Sequence, residues 1–311
     1  SHNVGDTIGK ELVVVGGGVA GCTAAMYAKR YNLDLVLLEK AAPGGQTATA
    51  SKIENYPGFP EGITGFELAE RVRQQAENVG VDFLSGTAES LMTAGDRWTL
   101  RTSEGDIATL AVIVATGASP RHLKVPGERD LFGQGVSYCA TCDGMFYRGQ
   151  TVAVVGGGNS AVDEAIYLSD ICEKVYLVHR RDELRAEAHL QERAFSKPNI
   201  EMVWDSVIAQ IIGPGEVTAI RVQNKKTQQE HEIPLAGVFV AIGHEPQTGW
   251  LEGVVELEEG FVIADCHMAT NAPGIFACGD IRNTPLRQIT TAVGDASIAA
   301  HSAWAYVQEH R

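Results

Sequence analysis

An apolar run, a glycine-rich turn, an alanine-rich stretch, a second apolar run and a charged residue follow one another near the start of this chain, and the same order returns after residue 150. No other feature restricts the fold as much. Residues 11–15 read as a buried parallel strand by their short apolar run. Gly16-Gly17-Gly18-Val19-Ala20-Gly21 follows, then a helix over 22–31, then an apolar run over 33–38 that ends at Glu39. Strand, glycine turn, helix, strand and acid together make the full dinucleotide-binding context. Gly16 makes the tight turn, Gly18 lets backbone approach a pyrophosphate, and Gly21 lets helix and strand pack closely. The helix N-terminus turns free N–H groups and a positive dipole end toward phosphates. Glu39 can accept hydrogen bonds from ribose hydroxyls.

In the second copy residues 151–155 are the strand, and Gly156-Gly157-Gly158-Asn159-Ser160-Ala161 carries Ala where the third glycine stood. A helix over 161–169 and a strand over 174–178 follow. Glu39 lies 23 residues after Gly16 (16 to 39), and the residue 23 after Gly156 (156 to 179) is His179, followed by Arg180 and Arg181. An acid at this place repels a 2′-phosphate, whereas arginines bind it. The two copies therefore read as sites for two different nucleotides. The rival reading of the basic cluster is a solvated charge run. Each half also has a closing apolar strand that ends in glycine, over 112–117 and 238–243. The fold class expected is α/β with two Rossmann-like dinucleotide-binding domains.

Between the first fingerprint and its closing strand lies an extra region, residues 44–73, whose Pro57, Pro60 and glycines read as a loop before a helix over 65–79. Charged segments near Gly95 and Lys225 read as hairpin tips. Residues 274–280 read as a buried strand that ends in Gly279-Asp280, and Arg287-Gln288 precede a helix of small residues over 290–308. Asp280, placed after a strand, can bind a chain of sugar hydroxyls; the bland alternative is an ordinary turn aspartate.

Between the two fingerprints sits Cys139-Ala140-Thr141-Cys142-Asp143. Two cysteines at this spacing share one turn and can cycle between dithiol and disulfide, and the adjacent acid can give or take the proton each cycle moves. The alternatives are one arm of a zinc site or a structural staple. Zinc needs two further ligands at matching spacing, and Cys22, Cys172, Cys266 and Cys278 form no second pair of this kind. No metal is expected. A net charge of -14 disfavours nucleic acid and anionic membrane as general partners. No apolar run approaches the length of a membrane span, and no signal peptide is expected ahead of the first strand. Six cysteines in 311 residues are far from a disulfide scaffold, so a reducing, cytoplasmic setting is expected.

At this point the chain resembles the low-molecular-weight thioredoxin reductases, within the two-dinucleotide-binding flavoprotein family. The resemblance runs over about 11–306 and rests on Gly16 to Gly21, Gly44-Gly45-Gln46, Ile53-Glu54-Asn55-Tyr56-Pro57-Gly58, Ala115-Thr116-Gly117-Ala118, Cys139 to Asp143, Gly156 to Ala161, His179-Arg180-Arg181-Asp182 with Arg185-Ala186, Ala241 to Pro246, Gly279-Asp280 and Arg287-Gln288. Residues 40–43 and 198–215 fit the family loosely. The resemblance implies FAD in the first fingerprint and NADPH in the second. It implies an FAD domain in two pieces, 1–122 and 247–311, with an NADPH domain over 123–246 that carries the cysteine pair inserted between them. By the same carry-over Gly45, Gln46 and Asn55 lie near the flavin ring, Asp280 holds the ribityl and phosphate region, and Arg287, Gln288 and Ile289 reach the pyrimidine side. Lys40, Thr116 and Gly117 join the FAD set. Gly156, Gly158, Asn159, Ser160, His179, Arg180, Arg181 and Arg185 make the NADPH set. Cys142 is the sulfur facing the flavin, Cys139 attacks the target disulfide, and Asp143 carries the proton. A homodimer is also implied.

The reaction expected moves electrons from NADPH through FAD and the Cys139–Cys142 disulfide to the disulfide of thioredoxin or a thioredoxin-like protein. Rotation of the inserted domain is expected to present first NADPH and then the disulfide to the flavin. Two enzyme alternatives keep the fold: an FAD-dependent dithiol oxidase, and an NAD(P)H reductase of a peroxidase-linked partner. A nucleotide-binding sensor without turnover is the alternative from another class. Arg180 and Arg181 argue against the oxidase, and the intact cysteine pair with Asp143 argues against the sensor.

Overall fold

The computed structural model describes residues 7–41, 44–50 and 52–311. Ala42 and Pro43, in the loosely fitting loop over 40–43, lie outside the described residues. The chain forms two compact units, Ser1–Ser119 with Glu245–Arg311, and Pro120–His244.

In the first unit the strand Ile8–Val15 lies at the centre of a sheet, parallel to Leu35–Glu39 on one side and to Gly105–Val114 on the other. Val13 stands opposite both Val36 and Val112. Asp82–Ser85 extends the sheet beyond Leu35–Glu39. The long strand Gly105–Val114 is shared: its end over 112–114 pairs parallel with Ile275–Ala277, and its start pairs antiparallel with Arg97–Thr102, which pairs with Ala88–Ala94. The hairpin tip at Gly95 is thereby found. Helices Val19–Arg30 and Ile289–His310 cover one face, where Leu12, Val14, Ala24, Ala28, Ala299, Ala303 and Val307 are fully buried. The other face buries Val13, Val112, Val114, Leu251 and Ile281. Burial on both faces is why the central strand reads as a continuous apolar run rather than an alternating one.

The first helix begins at Val19, three residues before the sequence pattern placed it (19 against 22), because Gly18 in extended conformation serves as its N-cap. Gly21 therefore lies inside the helix. A Cβ built there would come 1.6 Å from the Gly16 carbonyl oxygen, a backbone atom that cannot step aside. Gly21→Ala is expected to cost about 1–3 kcal/mol of stability, read as a fall in the urea midpoint of the first unit; an unmoved midpoint would show that the helix tolerates a wider separation.

The second unit repeats the plan. Its parallel sheet runs in the order Ile200–Val203, Lys174–Val178, Thr151–Val155, Gly237–Val240, Val136–Ser137. Val154 faces Leu177 on one side and Phe239 on the other, all fully buried. The helix Asn159–Ser169 starts directly at its N-cap Gly158, two residues ahead of the residue 161 read from sequence. A separate antiparallel sheet of Ser206–Ile212, Ala219–Asn224 and Glu230–Pro234 contains the expected hairpin tip at Lys225. Residues 198–215, loosely matched in sequence, supply one of these strands, Ser206–Ile212, and the edge strand Ile200–Val203 of the parallel sheet. No helix among the described residues is long and apolar enough to cross a membrane.

Candidate active site

A cleft of about 830 Å³ opens in the first unit at the C-terminal ends of its parallel strands, the usual place for a ligand in an open α/β sheet. Gly16, Gly18, Glu39, Lys40, Gly45, Gln46, Thr116, Gly117, Asp280, Gln288 and Ile289, all expected from sequence, line it. Nothing caps the helix Val19–Arg30 through a side chain, so its first N–H groups remain for an anion. The Glu39 carboxylate accepts from the Gly17 N–H at 2.5 Å and from the Ala41 N–H at 3.0 Å, which ties the glycine turn to the end of the second strand. Gln46 donates to the Ser119 hydroxyl at 3.4 Å, and Asn55 donates to the Gln288 side-chain oxygen at 3.0 Å across 233 residues of sequence. Thr116 reaches the Gln247 carbonyl at 3.1 Å. Burial pushes the Asp280 pKa up to about 6; the Arg287 charge opposes this and the Asp295 charge adds to it.

Three expected members stand outside the lining, among them Asn55, which is joined to the lining residue Gln288. Gly21 serves packing, as above. Arg287 turns its guanidinium over the Phe261 ring, 4.1 Å from the centroid, and donates to the carbonyls of Asp280 at 3.3 Å and Arg282 at 3.4 Å. It therefore braces the Asp280 turn from outside the cleft. Trp250, Gln247, Thr87 and Phe66 line the cleft without having been read from sequence. No local motif marks them; each arrives through tertiary packing.

In the second unit the loop after Lys174–Val178 folds back on the glycine turn: the N–H groups of Arg185 and Ala186 donate to the Gly157 carbonyl at 2.7 and 3.1 Å. Arg180, Arg181 and Arg185 are exposed beside it, while Gly158 caps Asn159–Ser169 with no side-chain bond. Asn159 exchanges hydrogen bonds with the Glu187 side chain and backbone N–H, at 3.2 and 2.8 Å. Ser160 is exposed on the first turn. His179 differs from its arginine neighbours. It is 4% exposed, and a Cβ on Gly157 would come 2.2 Å from its ring. Burial holds its pKa below the ordinary histidine value, and the charges of Arg185, Arg180 and Arg181 lower it further. The imidazole thus lies neutral beneath the turn, its Nε2 without a hydrogen-bond partner.

The cysteine pair forms a disulfide, Cα to Cα 5.3 Å. Cys139 caps a single helical turn, Ala140–Asp143, that places both sulfurs on the same turn. The Ser137 hydroxyl, 2% exposed, donates to Asp143 Oδ2 at 2.6 Å and accepts from the Cys139 N–H at 3.1 Å. Ser137 was not read from sequence; its place on the short strand Val136–Ser137, two residues before Cys139, is the signal that could have found it. Burial raises the Asp143 pKa and the Ser137 bond partly offsets this. A carboxyl so placed gives up its proton less readily than a surface aspartate and can serve as a proton donor beside the disulfide turn. Met145 and Phe146 are exposed directly after it, at 49% and 41%. Cys22, Cys172 and Cys278 are buried free thiols, and Cys266 is exposed. Among the described residues no cluster of three or more His, Cys, Asp or Glu is assembled for a metal.

The sequence pattern of the Pyridine nucleotide-disulphide oxidoreductase family matches residues 10–296. Among curated proteins, the thioredoxin reductase of Listeria innocua is 40% identical over 96% of this chain and 94% of its own length. That of Bacillus subtilis is 41% identical over 96% and 95%. The crystal structure of thioredoxin reductase from Streptococcus pyogenes is 43% identical, covers 98% of this chain and 100% of that one, and superimposes with a TM-score of 0.92. The thioredoxin reductase of Giardia duodenalis, 34% identical, covers 97% of this chain and 100% of that one with a TM-score of 0.93.

Proposed function

The chain belongs to the pyridine nucleotide-disulphide oxidoreductases and within them to the thioredoxin reductases, and from that premise we propose how its residues divide the reaction. It is an enzyme that uses NADPH and FAD to reduce the disulfide of thioredoxin. The observation that carries this reading is the Cys139–Cys142 disulfide with Asp143 held at Ser137, in a chain with one acidic and one basic dinucleotide fingerprint.

The cleft of the first unit fits FAD: its uncapped helix N-terminus suits the pyrophosphate, Glu39 suits the ribose of the adenosine, and Asp280 suits the ribityl hydroxyls. When bound, FAD supplies the two-electron relay between a hydride donor and a disulfide. Gln46, Asn55, Gln288 and Ile289 orient the ring, with Asn55 and Gln288 already joined. In the second unit the Gly158 helix end takes the NADPH pyrophosphate, and Arg180, Arg181 and Arg185 take the 2′-phosphate. His179 acts there as a neutral filler beneath Gly157 rather than as a phosphate ligand. The domains assigned are 1–122 with 247–311 for FAD and 123–246 for NADPH.

Cys142 is the sulfur that faces the flavin. The Cys139 thiolate attacks the partner's disulfide, forms a mixed disulfide with one of its sulfurs and releases the other as a thiolate. Cys142 then closes back on Cys139 and frees the second partner sulfur. Asp143 supplies and recovers the proton. The exposed Met145 and Phe146 offer a protein partner an apolar rim beside the disulfide. A homodimer in the cytoplasm completes the reading; four free thiols beside a single described disulfide support the reducing compartment.

NADPH consumption measured with and without a thioredoxin disulfide, in air and under nitrogen, tests the reaction. Consumption that requires thioredoxin and ignores oxygen supports it, and oxygen-dependent turnover without NADPH marks a dithiol oxidase instead. NADPH should be preferred to NADH by more than tenfold, since each charge-assisted contact to the 2′-phosphate contributes about 1.5–3 kcal/mol. Arg180→Ala with Arg181→Ala should erase most of that preference through KM. Equal use of both nucleotides by the unaltered enzyme would refute the phosphate assignment.

A further inference from the structure

Asp280 sits on a three-residue turn, Gly279–Ile281, whose first residue holds a φ of +79°. Such a turn needs fixing from outside, because its own backbone favours no one orientation of the carboxylate. Asp295, on the second turn of the helix Ile289–His310, accepts from the Gly279 N–H at 3.2 Å. The same carboxylate pairs with Arg282 at 3.3 Å, and both side chains are largely buried, 13% and 14% exposed. Arg282 also donates to the Ala264 carbonyl at 3.4 Å, and its backbone N–H closes the turn on the Gly279 carbonyl at 3.2 Å.

We propose that Asp295 and Arg282 are positioning residues for the flavin site, an ion pair behind the cleft that fixes the Gly279–Ile281 turn and tunes the charge of Asp280. This rests on the assignment of the cleft to FAD. Neither residue of the pair lines the cleft, so each acts through Asp280 rather than by touching the cofactor. A buried pair of this kind is a poor source of stability but a strong source of geometry, since removing either partner strands the other's charge.

The charged groups around Asp280 give the proposal a sign. Arg287 lowers its pKa and Asp295 raises it, against the larger upward push of burial. From the first helix, Ala20 faces Gly279 and brings no charge. Cys278, next in sequence, is a fully buried thiol whose pKa burial pushes far up, so it stays neutral. Arg282 counters Asp295 through their contact. A ribityl hydroxyl would donate to the ionised carboxylate, so FAD affinity should be full above the Asp280 pKa of about 6 and fall below it.

The experiment is retention of FAD by the purified holoenzyme, read as the rise of flavin fluorescence on dilution from about pH 5 to about pH 8. Asp295→Asn keeps an oxygen for the Gly279 N–H and removes the charge that raises Asp280, so the acid edge of FAD release should move down. Arg282→Gln leaves Asp295 unopposed, so the edge should move up. General loosening of the site drives both edges upward, as does any loss of stability. Opposite movements support the proposal. Edges that move the same way, or stay in place, overturn it. If the unaltered protein carries no FAD, the assignment of the cleft fails instead, and flavin content at neutral pH reads that separately.

Discussion

Cys139→Ser brings the reduction of a thioredoxin disulfide to background while the flavin spectrum still bleaches on adding NADPH. The expected loss is total because a serine hydroxyl neither attacks a disulfide nor forms one with Cys142, and no other described thiol stands at the required place. Cys22, Cys172 and Cys278 are buried, with burial raising each pKa, that of Cys22 to about 12 and that of Cys172 to about 11. Anaerobic stopped-flow with NADPH alone, followed by steady-state turnover with thioredoxin, separates the two halves. Residual turnover above the level without enzyme would mean that electrons leave by another route. Loss of flavin bleaching would mean that Cys139 supports the nucleotide sites rather than the exchange.

Asp143→Asn should slow disulfide exchange by about 10²–10⁴-fold and leave flavin bleaching by NADPH largely unchanged. The amide keeps the bond from Ser137, which donates its hydroxyl proton to Oδ2 at 2.6 Å, so the turn Ala140–Asp143 should stand. What disappears is the titrating group. Burial raises the Asp143 pKa above that of a free aspartate, so the protonated form lasts to higher pH than on the surface. The limb of the pH–rate profile belonging to this carboxyl should be present in the unaltered enzyme and absent in the variant. Equal slowing of both half-reactions would assign Asp143 a structural role only.

The legible part of this molecule is the part made of short-range rules. The strands Thr151–Val155 and Lys174–Val178 stand where the apolar runs put them, because a strand covered on both faces must be apolar along its whole length. The first-unit cleft was legible through its glycine turn, Glu39 and the Gly279-Asp280 corner, since a phosphate at a helix end leaves a local signature. Ser137, Trp250 and Gln247 were not, because what makes them part of a site is the chain they meet, not the residues beside them. Arg287 and His179 show the same limit within a motif: the motif assigned them to cofactor binding, while packing against Phe261 and under Gly157 decided where the side chains went. The helix starts at Val19 and Asn159 were read late because the glycines of a fingerprint look like turn while the last of them already caps a helix.

The middle glycine of each fingerprint meets the residue 22 places on (17 to 39, 157 to 179), and the two meetings differ in kind. Glu39 bonds the Gly17 N–H and also faces the cleft, so the side chain proposed to select the nucleotide also holds the chain together. A substitution at that position cannot change the nucleotide without loosening the turn. In the second copy the filler is His179, while the residues proposed to choose the nucleotide stand outside at 180, 181 and 185. Those arginines are free to vary one at a time at little expense to folding. Of the two proposed sites, built on the same plan, the first would be locked to its ligand and the second open to re-specification, so that a chain of this kind would change its electron donor more easily than its flavin.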